Sequence, residues 1–185
     1  MIWALTGFMG CGKTSAGRLA AGISGGALPF TDLDEEIARR EGRSIPDIFA
    51  AVGEKGFREM EFEALSALLS AAPTMLLSLG GGTLTYGKSL SLVQERCRCI
   101  YLRARVETLA DNLRHAAQTS CRPLLAGADP DAPANSPESL ESRITAMMAA
   151  RAPIYENTAD FIIDTDGLQP EKIAGKILEI CRREG

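Results

Sequence analysis

Gly7-Phe8-Met9-Gly10-Cys11-Gly12-Lys13-Thr14 stands between an apolar run, Ile2-Trp3-Ala4-Leu5, and a helix-forming stretch, Ala16 to Ala21. The octapeptide fits G-x-x-x-x-G-K-[ST], and strand–loop–helix is the setting in which that pattern builds a phosphate-binding loop. Its glycines let the backbone turn tightly and approach a phosphate closely. Successive N–H groups, here those of Gly10, Cys11, Gly12, Lys13, Thr14 and Ser15, then line an anion-binding hollow at a helix N-terminus. In this pattern Lys13 reaches the β- and γ-phosphates and the Thr14 hydroxyl meets Mg²⁺. The loop identifies a nucleotide donor and leaves the acceptor open.

The chain has 185 residues, the size of one domain with one core, and a formal net charge of −4. That balance gives no global basic field to draw in nucleic acid. No apolar run approaches the roughly 18–20 residues that span a bilayer, and the phosphate loop begins too early to leave room for a cleavable leader. A cytoplasmic chain with no membrane partner is expected. The five cysteines, Cys11, Cys97, Cys99, Cys121 and Cys181, form no C-x-x-C pair and have one histidine, His115, beside them. Reduced thiols are expected rather than structural zinc. Cys11 lies inside the phosphate loop, so its alkylation is expected to block nucleotide binding.

Short apolar runs alternate with longer helical stretches, the pattern of βαβ units and a parallel sheet. The expected strands are 2–6, 28–31, 75–79, 99–102 and 161–163, apolar enough to be covered on both faces. Phe57, Met60, Ala64, Leu68 and Leu69 recur at helical spacing within a helix over 54–72. A second helix is expected over 138–151, with Ser136 as N-cap and Pro137 in its first turn, and a third over 170–183. Residues 126–137 hold Pro130, Pro133 and Pro137 among Gly, Asp, Asn and Ser. A loop of that length in a compact domain suggests a lid, which in phosphoryl transfer keeps water from the donor.

A phosphate-loop enzyme needs an acid near its metal, at a strand end. Asp32 and Asp34 follow one strand, Asp164 and Asp166 another. Either pair also reads as a solvated acidic segment; Asp32 to Glu36 would suit a helix N-terminus for the dipole alone. Gly80-Gly81-Gly82 is a costly run that implies a tight turn or a close approach. Arg58 has Glu54 and Glu61 at helical spacing, Arg122 precedes Pro123-Leu124-Leu125, and Arg151 precedes Ala152-Pro153-Ile154-Tyr155 at an expected helix end. Each suits a surface ion pair or helix dipole, but arginine also captures carboxylate and phosphate bidentately.

In their order along the chain these segments resemble the shikimate kinases. The resemblance runs through Leu5–Thr14, Asp32-Leu33-Asp34-Glu35-Glu36-Ile37, Gly42-Arg43-Ser44-Ile45-Pro46-Asp47-Ile48-Phe49 and Gly53-Glu54-Lys55-Gly56-Phe57-Arg58-Glu59-Met60-Glu61. It continues in Leu77-Ser78-Leu79-Gly80-Gly81-Gly82, Arg122-Pro123-Leu124-Leu125 and Arg151-Ala152-Pro153-Ile154-Tyr155. It implies an α/β kinase fold, a five-stranded parallel sheet flanked by helices, in one domain over 1–185. A substrate-binding segment near 34–62 and a lid near 114–137 come with it. It implies transfer of phosphate from ATP, with Mg²⁺, to shikimate, a step toward chorismate and the aromatic amino acids.

The same resemblance assigns roles. Asp34 meets the acceptor hydroxyl, as base or as positioning group, and Asp32 acts on the metal with Thr14, through water. Arg58 and Arg151 clamp the substrate carboxylate, with Glu61 holding Arg58. Gly80, Gly81 and Gly82 offer backbone to the substrate. Lys13 and Arg122, the latter from the lid, stabilise the transferring group. Pro170 lies near adenine, with Arg114 or His115 as a second neighbour, although His115 also reads as a plain surface residue. Three departures accompany the match. Leu33 stands where threonine is common, Gly167-Leu168-Gln169 replaces a basic residue before Pro170, and the lid is long and proline-rich. A monomer is expected. The rivals are a gluconate or nucleoside monophosphate kinase of the same fold, and a nucleotide-binding module without catalysis.

Overall fold

The computed structural model describes residues 1–71, 73–117 and 139–185. Five parallel strands form one sheet: β1 (Ile2–Thr6), β2 (Phe30–Asp32), β3 (Met75–Ser78), β4 (Cys97–Arg103) and β5 (Phe161–Asp164). Their order across the sheet is β2-β3-β1-β4-β5, with β1 paired to β3 and β4. The helices joining them are α1 (Lys13–Ile23), α2 (Leu33–Glu41), α3 (Ile45–Ala71), α4 (Gly87–Arg96), α5 (Val106–Ala117), α6 (Leu140–Thr158) and α7 (Pro170–Glu184). A short 3-10 turn covers Thr83–Thr85. The expected α/β architecture is therefore the observed one. No helix among the described residues is long and apolar enough to cross a membrane.

Every residue of β1 and of β3 is buried, as continuous apolar runs in the middle of a parallel sheet require. The edge strand β5 departs from the expectation of cover on both faces: only Ile163 is buried and Ile162 is 44% exposed. β2 begins at Phe30 rather than Leu28, because Pro29 has no N–H and contributes only its carbonyl, which accepts from Leu76. β4 starts two residues before the expected strand, at Cys97, which lies in register with Ile2.

The expected helix over 54–72 is the second limb of α3. Its axis breaks at Gly53 (φ 68, ψ −179), a backbone conformation that glycine adopts without strain. The limb before the break, with Ile45 and Phe49 against the core, was not anticipated. Helix α6 differs from expectation at both ends. Ser139, whose Oγ accepts from the Ser142 N–H, is its N-cap; Ser136 and Pro137 lie outside the described residues. The helix runs on past Arg151 and through Pro153 to Thr158. Burial of Tyr155 beneath Tyr101, ring centroids 5.3 Å apart, outweighs the hydrogen bond that proline forfeits. Arg151 is thus mid-helix, not a cation at a helix end.

Candidate active site

The C-terminal ends of β1, β2 and β3 open onto one cavity of about 940 Å³, where ligands bind in open α/β sheets. The phosphate loop forms one side of it. Gly10 and Gly12 have φ values of 85 and 93, and Gly12 is the N-cap of α1 without a side-chain hydrogen bond. No side chain therefore competes for the first N–H groups of that helix. Lys13 is buried and folds back, its Nζ donating to Gly7 O at 2.8 Å and Phe8 O at 2.9 Å. Gly10, Gly12, Lys13, Thr14 and Ser15 line the cavity. Cys11 does not: its buried thiol sits 3.7 Å from Lys13 Nζ. Alkylation there must first displace the loop, the same loop whose blockage the sequence leads one to expect from it.

Asp32 ends β2 with one oxygen for each neighbour. Its Oδ1 accepts from the N–H groups of Asp34 and Glu35 and caps α2; its Oδ2 accepts from Thr14 Oγ1 at 2.6 Å. A hydroxyl and a carboxylate side by side are the hard oxygen donors that suit Mg²⁺, which is bound by one or two such groups together with substrate phosphates. No cluster of three or more His, Cys, Asp or Glu able to hold a metal occurs among the described residues. The other acidic pair is occupied elsewhere. Asp164 pairs with Arg103 at 2.6 Å, and Asp166 accepts from Thr108 and the Arg105 N–H; neither lines the cavity.

The opposite wall is mixed. Ile45, Pro46, Phe49 and Phe57 give it an apolar face, with the two phenylalanine rings stacked at 4.3 Å. Asp34, Arg58 and Glu61 give it a charged one. Glu61 is wholly buried, accepts from Arg58 Nη1 at 2.7 Å and from Thr83 Oγ1 at 2.6 Å, and so fixes the guanidinium. Arg58 is itself buried, and its Nε has no partner among the described residues. Burial pushes the Asp34 carboxyl up to about 6, reinforced by Asp32 and Glu61 and opposed by Lys13 and Arg58.

The glycine triplet lies between these walls, and its bareness serves side chains. A Cβ on Gly82 would stand 2.1 Å from Arg58 Nη2, and one on Gly80 would stand 2.8 Å from Glu61 Oε1 and 2.9 Å from Asp34 Oδ1. Arg151 is buried behind the triplet, not on the cavity wall, and donates to Gly81 O at 3.3 Å. Of the two residues expected near adenine, Arg114 pairs with Asp111 and Glu141, whereas His115 lines the cavity with Pro170. Asn112, which no local sequence signal marked, lines it too and donates to Gly10 O at 2.8 Å. Arg122 and most of the expected lid lie outside the described residues.

The family model of shikimate kinase matches residues 9–182. The chain belongs to the shikimate kinase family. It is 36% identical to a shikimate kinase of Thermodesulfovibrio yellowstonii, across 97% of this chain and 94% of that protein. It is 41% identical to one of Thermus thermophilus, across 95% and 86%. A shikimate kinase from Acinetobacter baumannii, solved in complex with shikimate, superposes with a TM-score of 0.83 at 31% identity, covering 98% of this chain and 93% of that one. A gluconokinase from Sinorhizobium meliloti, at 15% identity and a TM-score of 0.55, shares the fold alone. Shikimate kinases use ATP as phosphate donor, which accounts for the phosphate loop of this chain.

Proposed function

We propose that this chain transfers the γ-phosphoryl group of ATP to the 3-hydroxyl of shikimate, giving ADP and 3-phosphoshikimate, in the route to chorismate and the aromatic amino acids. Arg58 carries the acceptor half of this reading. A buried guanidinium with an unpartnered Nε, held rigid by Glu61 and set beside the apolar face of the same wall, fits a small ring that bears a carboxylate. The A. baumannii enzyme bound to shikimate supports the same acceptor.

The donor phosphates rest on the N–H groups of Gly10 to Ser15. Lys13 exchanges the Gly7 and Phe8 carbonyls for phosphate oxygens. Thr14 and Asp32 would hold Mg²⁺, which would supply positive charge against the phosphates. The acceptor carboxylate lies on Arg58, with Arg151 turning from Gly81 to join it, and the substrate hydroxyls meet the backbone of Gly80, Gly81 and Gly82. The hydroxyl oxygen bonds to the γ-phosphorus as the bond to the bridging β-oxygen breaks, and the hydroxyl proton passes to Asp34. A carboxyl near 6 is ionised at neutral pH yet basic enough to take that proton. Lys13, joined by Arg122 from the lid near 114–137, stabilises the charge of the transferring group. Pro170, with His115 opposite, borders the adenine. Most of the work is positioning and electrostatics.

The segment near 34–62 is the acceptor-binding part of a single domain over 1–185. A monomer acting in the cytoplasm, where ATP is at hand as donor, completes the proposal. Phosphorus NMR of the product tests the regiochemistry. A single phosphomonoester on the 3-hydroxyl is expected, and phosphate on another hydroxyl contradicts it.

A further inference from the structure

All three carbonyls of the glycine triplet are engaged. Gly80 O accepts from the Thr83 N–H at 3.2 Å, and Gly82 O accepts from the Thr85 N–H and hydroxyl. Gly81 O accepts from the Tyr155 hydroxyl and from Arg151 Nη1. The three N–H groups find no protein acceptor among the described residues. A trans peptide holds its C=O and N–H antiparallel. Thus the bond to Gly80 O sets the direction of the Gly81 N–H, and the bonds to Gly81 O set that of the Gly82 N–H. The Gly81–Gly82 peptide is then gripped from two sides, by α6 at its oxygen and by Arg58 at the position a Gly82 Cβ would take.

The two donors on Gly81 O are not equivalent. Arg151 bonds at 3.3 Å and is needed on the substrate carboxylate in the reading above, on which this inference rests. Tyr155 makes the closer bond, is 1% exposed, and its ring is fixed against Tyr101. We infer that Tyr155 is a positioning residue for the acceptor: its hydroxyl holds the Gly81 carbonyl when Arg151 leaves for the substrate, keeping the Gly82 N–H aligned. Without it, recruiting Arg151 would leave the part-buried Gly81 carbonyl with no protein donor, a cost drawn from substrate affinity. Tyr155 makes no hydrogen bond to the phosphate loop among the described residues, and its hydroxyl ends on Gly81 O, so its effect falls first on the acceptor.

Tyr155→Phe tests this, because it removes one oxygen and keeps the ring. Steady-state kinetics are measured with shikimate and ATP varied in turn, together with thermal unfolding. The expected result is a shikimate KM raised about three- to tenfold, the scale of one hydrogen bond, with the ATP KM within about twofold and Tm nearly unchanged. An unchanged shikimate KM, beside a wild type that phosphorylates shikimate, overturns the role of Tyr155 and leaves the functional reading standing. Equal losses for both substrates alongside a fallen Tm also overturn it, since they mark a purely structural tyrosine. A wild type that turns over no shikimate overturns the functional reading and this inference with it.

Discussion

Arg58 occupies the space where Gly82 would carry a side chain: Nη2 lies 2.1 Å from the ideal Cβ position. The guanidinium has little freedom to yield, being buried and tied to Glu61 at 2.7 Å. Gly82→Ala therefore displaces Arg58 or shifts the triplet. The shikimate KM is expected to rise about tenfold or more, a loss of roughly 1.4 kcal/mol or greater, while the ATP KM stays within about twofold. Steady-state kinetics with each substrate varied decide it.

Arg58→Ala removes the carboxylate contact itself and should weaken shikimate binding with little effect on ATP. It also leaves Glu61, fully buried, with Thr83 as its remaining hydrogen-bond donor. Breaking a buried pair from one side costs about 3–5 kcal/mol, so the variant should also unfold at lower denaturant. Equal loss of affinity for both ligands would contradict the role given to Arg58.

Asp34 predicts a pH profile. Its carboxyl is raised to about 6 by burial first and by Asp32 and Glu61 next, so kcat/KM for shikimate should fall tenfold per pH unit below about 6. The stability sign is the reverse of an ordinary ion-paired aspartate. The folded state binds more protons than the unfolded one between about pH 4 and 6, so stability falls as pH rises through that window. Asp34→Asn should abolish turnover and yet raise stability at pH 7, by on the order of 2 kcal/mol. Thermal unfolding at pH 4 and pH 7 checks this, since the gain should vanish at the lower pH.

Asp32 serves two ends with two oxygens, and the ends can be separated. Asn caps a helix as well as Asp does, so Asp32→Asn should leave Tm near that of the wild type while raising the Mg²⁺ concentration needed for half-maximal rate. Asp32→Ala should lose both, with about 1 kcal/mol of stability gone with the cap. Magnesium titrations at saturating ATP, with thermal unfolding of both variants, make the comparison.

Much of this was legible in the sequence where a local pattern has one physical solution. The buried β1 run, the phosphate loop behind it and the limb of α3 carrying Arg58 needed only spacing. Other features depended on contacts distant in sequence. That α6 passes through Pro153 follows from the pocket beneath Tyr101, which no window around the proline contains. The choice of Asp32 over Asp164 was ambiguous locally; what favours Asp32 in the proposal is that Thr14 bonds to it while Arg103 pairs with Asp164, contacts that no local window contains. The glycine triplet marked a close approach, but what approaches is the protein's own Arg58, Glu61 and Asp34. Thr83, Asn112 and Tyr155 escaped notice as site residues because their importance lies in single hydrogen bonds to groups 22, 102 and 74 residues away.

The central claim is that one cavity joins an ATP site to a site for a hydroxylated ring bearing a carboxylate. ADP release by the purified chain, with ATP and Mg²⁺ and with shikimate, gluconate or a nucleoside monophosphate as acceptor, tests it most directly. Shikimate-dependent ADP release, at least a hundredfold above either rival, is the result expected of the fixed Arg58. ADP release that is indifferent to shikimate, or is driven by gluconate or the nucleotide instead, would contradict it.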